Sequence, residues 1–224
     1  MVKTVLHGMQ KPFDLIVWDW DGTLADSTGM ISQALLSAAA QVGLPPLAAS
    51  AASSIIGLGL REAIHALYGD IPATQAQALA AQYSTNYYAG ESNIPLFAGA
   101  VDTIKHLNKR GYKLAVATGK GRRGLNLALE HSGLSHYFHA TRTVDECFSK
   151  PHPQMLHELM EALVVLPERT LMIGDTSYDL QMANNAGVSA VGVSYGAQTA
   201  AQWQHLNPMR QFDDFASLSA WLLD

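Results

Sequence analysis

Five short strand-like runs recur along the chain with helix-length segments between them, and that alternation limits the possible folds more than any other feature. The runs are FDLIVW (13–18), YKLAVAT (112–118), the weaker HATRT (139–143), TLMIG (170–174) and SAVGV (189–193). The four stronger ones have the length and apolar character of buried strands. Segments 99–110, 121–132, 153–163, 177–186 and 214–224 carry helical spacing, and glycines at 99, 111, 133, 174 and 187 stand where such units need turns or helix ends. Strand–helix alternation predicts an α/β fold built on a doubly wound, mainly parallel sheet.

One region departs from this rhythm. Residues 28–95 show no strand pattern, are rich in alanine, and read as helices over roughly 28–42, 59–68 and 74–89, separated by GLPP (43–46), glycines 57 and 59, and YGDIP (68–72). A stretch this long exceeds what a crossover between parallel strands requires. The expectation is two domains: an α/β core from 1–27 and 96–224, and a helical domain inserted at 28–95.

The polar residues that follow the strand runs carry the chemistry. Ligands of open α/β sheets bind beyond the carboxyl ends of strands. Here the first run ends in Asp19 and Asp21, the second in Thr118, and the fourth runs into Asp175 and then Asp179, while Lys150 follows the third. Carboxylates with only oxygen neighbours make a hard site suited to Mg²⁺. The nine histidines are scattered and the single cysteine, Cys147, has no partner for a zinc pattern. A lysine and a hydroxyl beside such a metal are what a phosphoryl group needs, because charge must be neutralised on several oxygens at once. An aspartate held there can attack phosphorus, and a second carboxylate two residues on can move protons.

The stretch DWDGTLADS resembles the first motif of the haloacid dehalogenase superfamily. The other motifs of that family follow in order: Thr118 in VATGK, Lys150 in SKPHP, and GDTSYDLQMANNAG at 174–187. The resemblance runs from about residue 13 to 195, and the helical segment is similar to the cap of the phosphoglycolate phosphatase and β-phosphoglucomutase branch. It implies Asp19 as nucleophile and metal ligand. It implies Asp21 as general acid/base, reaching the metal through its backbone carbonyl. Thr118 and Lys150 become the phosphate clamp, Asp175 a direct Mg²⁺ ligand and Asp179 a supporting one. Gly22 and Thr23 would shape a loop whose N–H groups face the phosphate. Gly119 stands where many relatives have asparagine, which leaves only backbone to contact substrate. Trp20, between the two aspartates, points away from both by strand alternation. Asp26 and Ser27 read as the turn and N-cap that launch the first helix of the insertion.

Within the family, Asp21 argues against dehalogenation, and the absence of lysine from 28–95 argues against a Schiff-base phosphonatase. Phosphatase and phosphosugar mutase both fit the four motifs. A non-catalytic phospholigand-binding protein fits less well, having no need of a nucleophile. The leading expectation is a Mg²⁺-dependent phosphatase acting on a small phosphorylated metabolite, phosphoglycolate being the nearest named guess. Arg61 is the only Lys or Arg in 28–95. It reads either as the cap's anchor for a substrate carboxylate or as a surface arginine paired with Glu62 or water. Arg122 and Arg123 add positive charge after the second motif or lie on a helix surface.

A formal net charge of −5 gives no reason to expect nucleic acid or an anionic membrane as partner. No apolar run approaches the length of a membrane span, and residues 1–12 lack the apolar core of a signal peptide. One cysteine suits a reducing compartment. A cytoplasmic monomer or homodimer is the resulting expectation.

Overall fold

The computed structural model describes residues 12–90 and 94–224. It contains one six-stranded sheet in the order β3-β2-β1-β4-β5-β6. The strands are β1 (Leu15–Trp18), β2 (Lys113–Thr118), β3 (Ala140–Thr143), β4 (Thr170–Gly174), β5 (Ser189–Val193) and β6 (Arg210–Phe212), and every pairing is parallel. The chain winds outward from β1 through β2 to β3, then returns to pair β4 against the other side of β1. Strand order therefore reverses between β1 and β4, which opens a crevice at their carboxyl ends.

Both faces of the sheet are covered, which is why the strand runs read as continuously apolar. Ile16, Trp18, Leu114, Val116, Leu171 and Ile173 point to one face. They meet α5 (Ala100–Lys109), α6 (Arg122–Ser132) and α10 (Phe215–Leu223) through Ile104, Leu107, Leu125, Phe215 and Leu218. Leu15, Val17, Ala115, Ala117 and Met172 point to the other. There they pack on α7 (Gln154–Leu163), α8 (Ser177–Asn185) and α9 (Ala200–Trp203) through Leu156, Leu159, Leu180, Met182 and Trp203. Alternate residues thus serve opposite layers.

Between β1 and α5 the described residues form α1 (Thr28–Gln41), α2 (Ala49–Ser54), α3 (Leu60–Tyr68) and α4 (Ala73–Gly90). These helices have a hydrophobic core of their own, built from Leu35, Ala38, Ala39, Ala52, Ile55, Ile64 and Leu79. Alanine on α1 keeps that helix's inner face low, and α4 lies along it, with Asn86 Nδ2 donating to the Ala34 carbonyl at 3.2 Å and to Gln41 Oε1 at 2.9 Å. Where the chain leaves and re-enters the α/β layers, its two segments run side by side. Asp26 N–H donates to the Pro95 carbonyl at 2.9 Å and Phe97 N–H to the Leu24 carbonyl at 2.9 Å.

Three elements have no counterpart in the sequence expectations: β6, α2 and α9. β6 is a three-residue edge strand, RQF, largely exposed. α2 is ASAASS, too short and too uniform to show a period.

Candidate active site

The chain stays paired to β4 one residue beyond β1, because Asp19 N–H donates to the Ile173 carbonyl at 2.9 Å. It then closes a tight turn in which Leu24 and Ala25 N–H both donate to the Trp20 carbonyl, at 3.0 and 2.9 Å. Gly22 takes φ +80° in that turn, a left-handed conformation that disfavours a side chain. Trp20 is buried against Phe138, ring centroids 6.4 Å apart.

Three carboxylates converge at the crevice. Asp19, Asp175 and Asp179 each place an oxygen within 4.8 Å of the others, and all three are buried. One ammonium serves them: Lys150 Nζ lies 2.8 Å from Asp19 Oδ1 and 2.6 Å from Asp179 Oδ1. The second oxygen of Asp179 accepts from Thr176 Oγ1 at 2.7 Å and Thr176 N–H at 3.1 Å, so this residue also closes the capping box of α8. Asp175 accepts from Thr23 Oγ1 at 2.9 Å and from Ala197 N–H at 2.7 Å. It fits because two neighbours have no side chain. A Cβ at Gly22 would fall 2.2 Å from Asp175 Oδ2, and one at Gly196 would fall equally close.

Asp19 is the exception within this trio. Its Oδ1 accepts from Lys150 and from Trp20 N–H at 2.7 Å, while its buried Oδ2 has no hydrogen-bond partner. Burial pushes its carboxyl well above the usual range; Lys150 opposes that shift, while Asp179 and Asp175 add to it. Asp175 is likewise pushed up to about 7 by burial and by the charge of Asp179. Burial lowers the Lys150 pKa, but Asp179 and Asp19 more than offset it and hold that pKa above the usual lysine value. Three buried carboxylates sharing one ammonium are short of positive charge. An orphaned carboxylate oxygen among oxygen donors is the chemistry of a hard divalent cation, so the residues fit Mg²⁺.

Asp21 lies apart from the trio. Its Oδ1 accepts from Ser27 Oγ at 2.8 Å and faces Lys120 Nζ at 3.2 Å. Ser27 does not cap α1 as the sequence suggested: it occupies the N-cap position, but its hydroxyl turns to the buried carboxylate, which is the stronger acceptor. The Gly22 and Thr23 N–H groups also differ from expectation. Gly22 donates to the Ala25 carbonyl at 2.8 Å and Thr23 to the Trp20 carbonyl at 3.4 Å, so both are used inside the turn. Thr23 serves the site through its hydroxyl on Asp175.

At the end of β2, Thr118 is buried and its Oγ1 accepts from Lys120 N–H at 3.1 Å. Gly119 sits against the insertion, where a Cβ would meet the Gly57 and Leu58 carbonyl oxygens at 2.5 and 2.7 Å. Further bonds hold the insertion down at this edge. Gly59 N–H donates to Ser149 Oγ at 2.8 Å, and Tyr178 OH donates to the Ser54 carbonyl at 3.3 Å. Between insertion and sheet lies a cleft of about 290 Å³ whose lining includes Asp19, Asp21, Thr118 and Gly119.

Two cations line this cleft: Lys120, which sequence reasoning left without a role, and Arg123, which it read as added positive charge or a helix-surface residue. Lys120 is nearly buried, touches Asp21, donates to Tyr87 OH on α4, and lies over the Tyr87 ring at 4.4 Å. The signal was the basic run GKGRR directly after a strand tip. Arg122, from the same run, pairs with Glu146 at 2.5 Å and serves the fold. Arg61 is exposed on α3 and is not among the residues lining the cleft.

Comparison with known proteins gives a consistent result. The family model described as haloacid dehalogenase-like hydrolase matches residues 16–193. A phosphoglycolate phosphatase of Rhodospirillum rubrum is 34% identical over 92% of this chain and 90% of its own. The pyrophosphatase PpaX of Bacillus mycoides is 27% identical over 91% and 94%. Among solved structures, a predicted phosphoglycolate phosphatase from Haemophilus somnus 129pt superposes with a TM-score of 0.82 at 27% identity, covering 96% of this chain and 99% of that one.

Proposed function

Since the chain belongs to the haloacid dehalogenase-like hydrolases, we propose that it is a Mg²⁺-dependent phosphatase of small phosphate monoesters, working through an aspartyl-phosphate. The observation that carries this reading is the unpartnered Oδ2 of Asp19, buried at the floor of the cleft beside the Lys150 ammonium. A buried carboxylate oxygen without a donor is costly to keep. It is worth keeping where that lone pair is to be used.

In the first step a carboxylate oxygen of Asp19 attacks phosphorus, the bond from phosphorus to the ester oxygen breaks, and Asp21 gives its proton to the departing oxygen. In the second, water attacks the aspartyl-phosphate, Asp21 takes the water's proton, and phosphate leaves with Asp19 restored. Lys150 offsets charge on Asp19 through both steps. The Thr118 hydroxyl at the end of β2 would hold the phosphoryl oxygens. Asp19, Asp175 and the Asp21 carbonyl would hold Mg²⁺, with Asp179 kept in place by Thr176 and Lys150. Bound Mg²⁺ would supply neutralisation of the phosphoryl oxygens as charge builds on them. The insertion, 28–95, would act as a cap that excludes bulk water.

The deciding measurement is phosphate release from p-nitrophenyl phosphate with Mg²⁺ and with chelator, for wild type and Asp19→Asn. Turnover that needs both metal and Asp19 supports the reading. Turnover that survives Asp19→Asn at near wild-type rate sinks the mechanism.

A further inference from the structure

The two sides of the cleft are chemically opposite. Every charged residue in its lining comes from the sheet side: Asp19, Asp21, Lys120, Arg123 and Asp145. The insertion contributes Ile31, Leu35, Ile56, Leu60, Tyr83 and Tyr88 among others, and no charged side chain. Of the two cations, Lys120 is already committed to Asp21 and Tyr87. The exposed Arg123 has its guanidinium stacked over the Tyr88 ring at 4.8 Å. The insertion's own arginine, Arg61, faces solvent elsewhere on α3.

A phosphate held over Asp19 therefore directs its ester group at an uncharged wall, mostly aliphatic and aromatic carbon with the Ser84 and tyrosine hydroxyls set in it. A carboxylate on that group would be stripped of water without an ion partner on the wall. Carbon there would leave water for a matching surface. Resting on the phosphatase reading above, we propose that the leaving group this enzyme selects is an uncharged, carbon-rich alcohol. Selection comes from the insertion's apolar wall and not from recognition of a second anion.

The test is kcat/KM for ethyl, propyl, butyl and pentyl phosphate with Mg²⁺, against phosphoglycolate as the carboxylate-bearing ester of near-propyl size. The alkyl alcohols are nearly equal as leaving groups, so differences among them report binding of carbon. The expected result is a rise of roughly threefold to fourfold per methylene until the wall is covered, with propyl phosphate ahead of phosphoglycolate by about tenfold or more. Leu60→Arg, at a half-buried wall position, is expected to flatten the series and raise phosphoglycolate relative to propyl phosphate. A flat series, or phosphoglycolate ahead of propyl phosphate and dependent on Arg123, overturns the proposal while leaving the phosphatase intact. Failure to turn over any ester, p-nitrophenyl phosphate included, overturns the phosphatase reading itself.

Discussion

The two walls of the cleft are held by different physics. On the sheet side each polar group is fixed by backbone that cannot move independently. Asp19 is tied to β4 by its N–H, Asp175 is wedged between two glycines, and Asp179 is built into the start of α8. On the insertion side the wall belongs to helices with a separate core, joined to the sheet by two chain segments and held at the rim by contacts such as Gly59 to Ser149. On the proposed function, chemistry that needs fixed charges would sit on the first, and fit to the rest of the substrate would fall to the second. Changes on the sheet side should lower turnover of every substrate alike; changes on the helical side should alter which substrate is preferred.

The comparison can be tested in order of expected effect. Asp19→Asn should reduce kcat with all phosphate esters by on the order of 10³-fold or more, as loss of a nucleophile does. A loss confined to one substrate would mean the sheet side is not the common chemical centre. Gly119→Ala should come next. Its Cβ would fall 2.5 Å from a backbone oxygen of the insertion, which must shift. Displacements of that size cost up to about a hundredfold, and here the cost should appear mainly in KM. An unchanged KM would show that the two walls are not closed on one another during turnover.

Metal addition probes the sheet side without a mutation. Asp175 is raised to about 7 by burial first and then by Asp179. A carboxyl raised on folding binds protons more tightly in the native state, so the metal-free fold loses stability as pH climbs from the unfolded value toward 7. Mg²⁺ should reverse this, so saturating metal should raise Tm by several degrees, and by more at pH 8 than at pH 6. Equal shifts at both pH values would count against the acidic trio as the binding site.

The smallest effect expected lies far from the cleft. Asp214 caps α10, accepting from Ser217 N–H at 2.7 Å and Ser217 Oγ at 2.8 Å. The Ser217 backbone bond is the main reason its pKa is lowered. A carboxyl lowered on folding stabilises above its unfolded pKa, and that contribution fades as pH falls through the folded value. Asp214→Ala should therefore lower Tm by roughly 2–4 °C at pH 7 and by less near pH 3, with kcat and substrate preference unchanged. Altered preference would mean that α10 is coupled to the helical wall.

What was legible in the sequence follows the same division. Strand tips and their carboxylates are visible because a strand's end and its face are local matters: an apolar run, then Asp19, Asp21 or Asp175. The short edge β6 was not visible, because RQF carries no apolar run and gains its pairing only from β5. Lys120 was in plain sight after VATG, yet its destination, Tyr87 on α4, is set by how the insertion folds back. Ser27 fitted the N-cap pattern, and only the approach of Asp21 reassigns its hydroxyl. Arg61 drew notice as the insertion's lone cation, but helical phase relative to the cleft decides its use, and it faces outward.

The slot around Asp175 also sets how this chain can change over generations. Positions 22 and 196 lie 174 residues apart in sequence, yet a single methyl group at either would press on the same carboxylate. At 22 the left-handed backbone adds a second obstacle. A substitution at one position cannot be rescued by trimming the other, since both are already glycine. Compensation would have to come from moving the acid itself. Those two glycines are therefore coupled to Asp175 as tightly as any ligand, and libraries that randomise the region should return glycine at 22 and 196 together or lose the site.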